Sequence, residues 1–123
     1  MTQRKSYSGS CLCHKVQFKI SEPFHYCATC HCSICRRQTG GDMTSWLGVS
    51  KKRFDITKGI ESIKHFTSSP GTDRAFCKEC GSSLFWLSKD HQNTISVTLN
   101  SIHDNDDISP EKALFIEDKA HWS

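Results

Sequence analysis

Residues 27–35 read CATCHCSIC, and two shorter cysteine motifs, CLC at 11–13 and CKECG at 77–81, bring the cysteine total to 8. Cysteines clustered this closely either form disulfides or hold metal ions. The opening residues, MTQRKSYSGS, contain no apolar run that could form a signal-peptide core, and no stretch is long enough to span a membrane. We therefore expect a cytoplasmic, reducing location, no membrane partner, and metal ions rather than disulfides in these motifs.

The length and charge of the chain set limits on its organisation. A chain of 123 residues predicts one domain, 1–123. The net charge of +3 is mild, and the short basic clusters at 36–37 and 51–53 are typical of solvated surface. Nucleic acid is therefore not the expected partner, because strong nucleic-acid binders carry a more basic face. The composition leaves open whether the chain forms a homo-oligomer.

Short strand signals dominate the rest of the sequence. In HKVQFKI (14–20) Val16, Phe18 and Ile20 alternate with polar residues, which is typical of a strand with one buried face. ITKG (56–59) resembles a turn, and only 33–40 and 51–54 favour a helical turn. The fold class is therefore mainly β with little helix. The predicted strands are 14–20, 43–49, 61–67, 83–87, 94–99 and 113–117.

The motif at 77–81 predicts half of a closed metal site. Two residues between Cys77 and Cys80 let both thiolates face one ion, and Gly81 can adopt the positive φ that follows such a turn. Cys11 and Cys13 lie on the same side of an extended chain and can supply the other two sulfurs. We expect one four-cysteine site, although the two pairs could also serve different ions or none.

The segment CATCHCSIC can hold a second ion. Cys30, Cys32 and Cys35 combine both short spacings and can surround one metal with three thiolates. Cys27 is either the fourth ligand, which would close the site, or a small buried apolar residue. An iron–sulfur cluster is a further alternative, but the ferredoxin spacing is absent. Spacing alone leaves these alternatives open.

The cysteine motifs, taken in their order along the chain, resemble those of the glutathione-dependent formaldehyde-activating enzyme family. The matching segments cover most of the chain: SGSCLCHKVQF (8–18), CHCSICRRQTGG (30–41), SSPGTDRAFCKECGSSLFW (68–86) and EDKAHW (117–122). The resemblance implies a β-tent, in which small antiparallel sheets are clamped by zinc. It also implies two zinc ions per chain, and a carbon–sulfur lyase-type enzyme that joins glutathione to formaldehyde as S-(hydroxymethyl)glutathione synthase does.

Within this family pattern, the structural zinc is assigned to the positions of Cys11, Cys13, Cys77 and Cys80. The catalytic zinc is assigned to the positions of Cys30, Cys32 and Cys35. The chain departs from the pattern in two places. His14 stands where the family usually has Gly, although His tolerates positive φ better than most residues, and Cys27 lies outside the pattern.

An open zinc site could act on a small-molecule thiol, an aldehyde, or both. It could deprotonate the thiol or polarise the aldehyde oxygen, and we favour thiolate delivery because three thiolates weaken Lewis acidity. Arg36, Arg37 and Arg74 are candidates to bind the carboxylates of glutathione as a co-substrate, unless they are surface charges. His31 is a candidate general base or zinc ligand, but the middle residue of C-x-C points away from both sulfurs.

Two other functions fit the same motifs. The first is a zinc-stabilised module without catalysis that binds protein or nucleic acid, since centromere protein V resembles the same family. The second is a redox or zinc-sensing role, with Cys27 as a resolving thiol beside a labile metal site.

Overall fold

The computed structural model describes residues 4–123, which contain ten β-strands and one α-helix. The elements in chain order are β1 Ser6–Ser10, β2 Gln17–Ser21, β3 Phe24–Cys30, α1 Ser33–Thr39, β4 Thr44–Ser50, β5 Phe54–Lys58, β6 Ile63–Ser69, β7 Thr72–Cys77, β8 Ser83–Ser88, β9 Thr94–Thr98 and β10 Lys112–Leu114. The expected mainly-β class is confirmed.

The strands form two sheets. The smaller sheet has three antiparallel strands in the order β1-β2-β5, and the larger has seven in the order β10-β3-β4-β9-β8-β7-β6. The larger sheet is antiparallel except at one edge, where β10 pairs in parallel with β3. No helix in the described chain is long and apolar enough to cross a membrane.

The main core lies between the two sheets. Phe18 from β2 and Phe54 from β5 pack edge-on against Phe85 from β8, with ring centroids 5.4 and 5.1 Å apart. Leu47 and Val97, on neighbouring strands of the larger sheet, are fully buried in the same cluster. The core therefore occupies one face of the larger sheet and leaves its opposite face to other residues.

A second, smaller cluster covers that opposite face. Cys30, Cys35 and Trp46 are buried there, and Tyr26 and Trp86 pack around them with Cys32. α1 follows β3 directly and carries Cys35. The three-cysteine motif therefore sits on the side of the sheet away from the main core.

Several boundaries predicted from the sequence need correction. The turn predicted at 56–59 is wrong, because Phe54–Lys58 is a strand that pairs with β2. The strand predicted at 14–20 begins only at Gln17, and the strand predicted at 113–117 ends at Leu114. The helical turns at 33–40 and 51–54 are confirmed as α1 and a 3-10 turn over Lys51–Arg53. The strands that the sequence analysis missed are β1, β3, β5 and β7.

Candidate metal centre and active site

Four of the cysteines come together from the segment between β1 and β2 and the segment at the end of β7. The sulfurs of Cys11, Cys13, Cys77 and Cys80 all lie within 4.8 Å of one another. The Sγ atoms of Cys11 and Cys13 are 3.6 Å apart, and those of Cys13 and Cys77 are 3.8 Å apart. The two motifs that the sequence analysis combined into one ligand set therefore converge.

Each half of this cluster lies in a tight turn that is closed by a backbone hydrogen bond. The backbone N–H of His14 donates to the Cys11 carbonyl, and the N–H of Gly81 donates to the Cys77 carbonyl. Both residues have positive φ, 65° at His14 and 80° at Gly81. His14 thus adopts the conformation that glycine favours, and its Nδ1 lies 3.1 Å from the Ser10 hydroxyl. The substitution of Gly by His leaves the turn intact.

The second cluster contains Cys30, Cys32 and Cys35. Their sulfurs also lie within 4.8 Å of one another, with Cys30 Sγ 3.4 Å from Cys32 Sγ and 3.3 Å from Cys35 Sγ. Cys32 is the N-cap of α1, and its sulfur accepts a hydrogen bond from the Cys35 N–H. The start of the helix therefore holds two of the three sulfurs in place.

Both clusters fit zinc better than disulfides. All cysteines among residues 4–123 are free, and the sulfur separations are well above the S–S bond length of about 2.05 Å. A tetrahedral zinc with bonds of about 2.3 Å separates its sulfurs by roughly 3.8 Å. The first cluster matches this value closely, and the second is slightly tighter. Both donor sets could therefore take up zinc with small side-chain adjustments.

Cys27 is not part of either cluster. It lies on β3 three residues before Cys30, and successive side chains of a strand point to opposite faces. Cys27 therefore faces the main core, where it is 4% exposed, while Cys30 faces the other side. Burial raises the pKa of the Cys27 thiol, and nearby Glu111 raises it further. Spacing left Cys27 as either a fourth metal ligand or a small buried apolar residue, and its position in the structure is that of a buried apolar residue.

A buried arginine contacts the three-cysteine cluster. Arg74 on β7 is 3% exposed, and both of its terminal nitrogens lie 3.5 Å from Cys35 Sγ. The hydrogen bond with Cys30 lowers the pKa of Cys35, burial opposes this, and the Arg74 guanidinium lowers it further, to about 5. The pKa of Cys30 is raised by its hydrogen bond with Cys35 and by burial, so Cys35 carries negative charge more readily than Cys30 does.

The other two candidate arginines occupy different positions. Arg36 donates through Nε to the His31 carbonyl and through a terminal nitrogen to the Asp118 carbonyl, which ties α1 to the C-terminal segment. Arg37 is exposed on the same helix. Of the three arginines proposed for substrate carboxylates, Arg37 is the exposed one.

His31 is buried beside the cluster at 4% exposure. Its Nε2 lies 3.3 Å from Thr29 Oγ1, and its Nδ1 has no hydrogen-bond partner among the described residues. It does not join Cys30, Cys32 and Cys35 in a common ligand group. This agrees with the expectation that the middle residue of C-x-C points away from the sulfurs.

A row of residues that begins at Arg74 crosses the larger sheet next to this cluster, and the sequence analysis assigned none of its other members to the site. Strand register aligns Arg74 with Trp86, Trp86 with Ser96, Ser96 with Gly48, and Gly48 with Tyr26. The Tyr26 ring lies over Gly48, and its hydroxyl hydrogen-bonds Ser96. Alternation along FHYCATC would have placed Tyr26 and Cys30 on one face, had β3 been predicted.

A cavity of about 630 Å³ lies elsewhere. It is lined by Cys11 of the first cluster but by none of Cys30, Cys32 and Cys35. The hydroxyls of Ser10, Ser82 and Thr98 in its wall already have partners within the protein. The cavity therefore adjoins the four-cysteine cluster and offers few free polar groups.

Comparison with protein families agrees with this arrangement. The model of the glutathione-dependent formaldehyde-activating enzyme family matches residues 6–118, which include all eight cysteines. The chain belongs to this family. Family membership supports an enzyme of the formaldehyde-activating, lyase type, which implies a small thiol and an aldehyde as substrates.

The relatives to which this chain was compared are distant from it in sequence. An uncharacterized lyase of Schizosaccharomyces pombe is 27% identical over 115 residues, which cover 92% of this chain and 80% of the relative. A Halomonas elongata protein, provisionally named a glutathione-dependent formaldehyde-activating enzyme, is 28% identical over 122 residues, covering 93% and 77%. A crystal structure of a Rhodobacter sphaeroides protein has a TM-score of 0.71 at 18% identity, covering 86% of this chain and 98% of that one. This last likeness shows the fold.

Proposed function

We propose that the chain is a single zinc-dependent domain, residues 1–123, that acts as a carbon–sulfur lyase-type enzyme on adducts of a small thiol and an aldehyde. The observation that supports this proposal most strongly is the three-cysteine cluster, which has no fourth His, Cys, Asp or Glu ligand within the described residues. Catalytic zinc sites typically have three protein ligands and keep one position for a substrate. The free cysteines favour a reducing compartment such as the cytoplasm.

Each cysteine set has its own proposed role. Cys11, Cys13, Cys77 and Cys80 would hold a structural zinc, because four protein ligands close the coordination sphere. Cys30, Cys32 and Cys35 would hold the catalytic one. Zinc bound there would lower the pKa of a coordinated substrate thiol, so that a thiolate exists at neutral pH.

The residues around the catalytic cluster would exclude water and orient the substrate. Trp46 and Trp86 pack against the cysteines with Tyr26, which makes the surroundings apolar on that side. In the overall reaction with glutathione and formaldehyde, a carbon–sulfur bond forms and the thiol proton ends on the former aldehyde oxygen. The reverse reaction breaks that bond and releases both molecules.

Of the three candidate arginines, Arg37 is the one that we propose binds a glutathione carboxylate. Arg36 already donates to two backbone carbonyls, and Arg74 is buried against Cys35. Arg37 lies two positions after Cys35 on an exposed part of α1. Its guanidinium is therefore available to form a bidentate pair with a carboxylate.

Exchange spectroscopy by NMR tests the proposed reaction directly. We expect the zinc-loaded chain to accelerate exchange between free glutathione and S-(hydroxymethyl)glutathione in the presence of formaldehyde. Cys30→Ala should abolish the acceleration, because it removes one of three metal ligands. Cys27→Ala is the matched control: it also removes a buried cysteine of β3, and it should retain the acceleration.

The alternative of a non-catalytic zinc module predicts a different result. Such a module would leave the exchange rate at its uncatalysed value with glutathione and with other small thiols, whatever the metal content. A rate that is raised equally by the parent and by Cys30→Ala would also contradict the proposal, because it would separate catalysis from this cluster.

A further inference from the structure

Arg74 is held in place from both ends of its guanidinium. Its Nε donates to the Ser68 hydroxyl at 3.0 Å, and its two terminal nitrogens lie 3.5 Å from Cys35 Sγ. β6 and β8 flank its strand, with Phe66 and Trp86 as register partners. At 3% exposure the guanidinium has almost no contact with solvent. Its orientation is therefore fixed by the fold.

Among the residues that the structure describes, this buried cation has no carboxylate partner. The ion pairs among residues 4–123 join Lys5 to Asp107 and Lys15 to Glu79, and Arg74 takes part in neither. A buried charge without a partner is strongly destabilising. Cys35 Sγ is the group that both terminal nitrogens reach, so the negative charge that balances Arg74 resides on the cysteine cluster.

The charge count at the cluster gives Arg74 a specific role. Three thiolates around a divalent zinc have a net charge of −1, and adding a thiolate from a substrate makes it −2. When the positive charge of Arg74 is included, the net charge is 0 before the substrate thiolate binds and −1 after it binds. The buried guanidinium therefore offsets the charge that a fourth thiolate brings into an enclosed site, where like charges repel strongly.

We propose that Arg74 is a positioning residue that, through its paired hydrogen bonds to Cys35 Sγ, allows the three-cysteine metal site to accept a substrate thiolate. This inference rests on the proposed function, because it assumes that a thiol binds at that metal. The N–H groups also draw electron density from the Cys35 sulfur, since charge-assisted hydrogen bonds are the strong ones. Cys35 is then the weakest donor of the three, and the metal retains affinity for a fourth sulfur.

Cobalt substitution gives a readout that does not depend on turnover. Cobalt(II) occupies tetrahedral thiolate sites, and its sulfur-to-metal charge-transfer bands report both the donor strength of each thiolate and the arrival of a new one. Glutathione is titrated into the cobalt-loaded parent, Arg74→Gln and Arg74→Lys. We expect Arg74→Gln to bind glutathione about tenfold or more weaker, the loss typical of one charged hydrogen bond.

The spectra before glutathione is added make a second prediction. In Arg74→Gln the Cys35 thiolate loses its charged donors, so its charge-transfer band should move to lower energy. Arg74→Lys keeps the charge but not the fork, and we expect it to restore part of the glutathione affinity. Lys52→Gln, which removes an exposed cation from the 3-10 turn at Lys51–Arg53, is the control for general charge and should leave the cobalt bands unchanged.

The outcomes separate this inference from the proposed function. If glutathione does not change the spectrum of the parent, the thiol does not bind at the metal and both proposals fail. If the parent responds and Arg74→Gln responds with the same affinity and the same bands, the inference alone fails. If Arg74→Gln does not fold, Ser68→Ala is used instead, because it removes only the hydrogen-bond acceptor of Arg74 Nε. An unchanged glutathione affinity and an unchanged spectrum in Ser68→Ala would overturn the inference.

Discussion

At the residue scale, Tyr26 connects β3 to β9 across an intervening strand. Its hydroxyl hydrogen-bonds Ser96, which is 1% exposed, and its ring occupies the space above Gly48, where a Cβ would lie 2.1 Å from Cε1. Burial raises the pKa of the tyrosine hydroxyl. The hydroxyl is therefore neutral at physiological pH and forms part of the wall beside the cysteine cluster.

A double-mutant cycle tests this contact. We expect Tyr26→Phe and Ser96→Ala each to lower the free energy of unfolding by about 1 kcal/mol, because each leaves the other hydroxyl without its partner. The double variant should cost no more than the larger single change, since the pair is lost only once. Urea denaturation of the zinc-loaded proteins measures all four free energies. Simple addition of the two single effects would contradict the contact.

The position of Cys27 shows what spacing alone could not decide. C-x-x-C at 27–30 has the same spacing as the pair Cys77 and Cys80, yet only the latter forms a knuckle. β3 keeps its extended conformation to Cys30, so the two side chains point to opposite faces. Cys77 instead ends its strand, and the chain turns to Gly81. The decisive information is the backbone conformation after the first cysteine.

At the element scale, the turn between β5 and the 3-10 turn at Ile60–Ser62 depends on Gly59. This glycine has a φ of 81°, and a Cβ would lie 1.8 Å from the Lys15 carbonyl oxygen. Lys15 lies two residues after Cys13 and two residues before β2 begins at Gln17. The backbone of the first cysteine motif and the end of β5 therefore approach each other too closely for a side chain.

Alanine substitution at two glycines separates this contact from backbone strain. Gly40, the C-cap of α1, has the same φ of 81°, but its Cβ would meet nothing within 4 Å. We expect Gly40→Ala to lower the free energy of unfolding by about 1 kcal/mol from strain alone. Gly59→Ala should cost at least about 1–3 kcal/mol more, because backbone must shift. Equal losses in urea denaturation would contradict the close approach.

The elements that the sequence predicted are those with clear apolar patterns. β4, β8 and β9 contain runs such as TISVTL, whose buried residues belong to the core. β3 was missed because its segment, FHYCATC, mixes cysteines with polar residues and its apolar side chains face two different clusters. β5 was missed because ITKG has turn-forming residues, while its strand is stabilised by pairing with β2. Both errors arise from tertiary contacts that override local preference.

The same limits apply to the candidate site. The ligand sets follow from short-range spacing and the family resemblance, so the sequence predicted which cysteines come together. The contact between Arg74 and Cys35 spans 39 positions in the chain and depends on the register of β7 with its neighbours. The row from Trp86 to Tyr26 depends on the same register. Neither could be predicted without the strand order.

At the scale of the whole molecule, the two cysteine clusters differ in what they connect. The four-cysteine cluster joins residues 64 positions apart, from Cys13 to Cys77, whereas Cys30 and Cys35 are 5 positions apart. Closing the longer loop removes more freedom from the unfolded chain. A small domain also gains much of its stability from structural zinc. The four-cysteine cluster should therefore dominate stability.

Thermal unfolding of two serine variants tests this difference. We expect Cys80→Ser to lower Tm by more than about 15 °C, because loss of a structural zinc costs several kcal/mol and each kcal/mol shifts Tm by about 4–8 °C in a domain near this size. Cys32→Ser, at a cysteine that is likewise half-buried, should lower Tm by much less. Circular dichroism of the zinc-loaded proteins measures both values. Equal decreases would contradict separate structural and catalytic roles.

The central claim is that Cys30, Cys32 and Cys35 form a three-ligand metal site from which Cys27 is absent. Native mass spectrometry of the zinc-loaded parent, Cys27→Ala and Cys30→Ala counts zinc per chain. The two clusters predict two zinc ions in the parent and in Cys27→Ala, and one in Cys30→Ala. Loss of a zinc ion from Cys27→Ala would contradict the claim, because it would make Cys27 a ligand and the site a closed one.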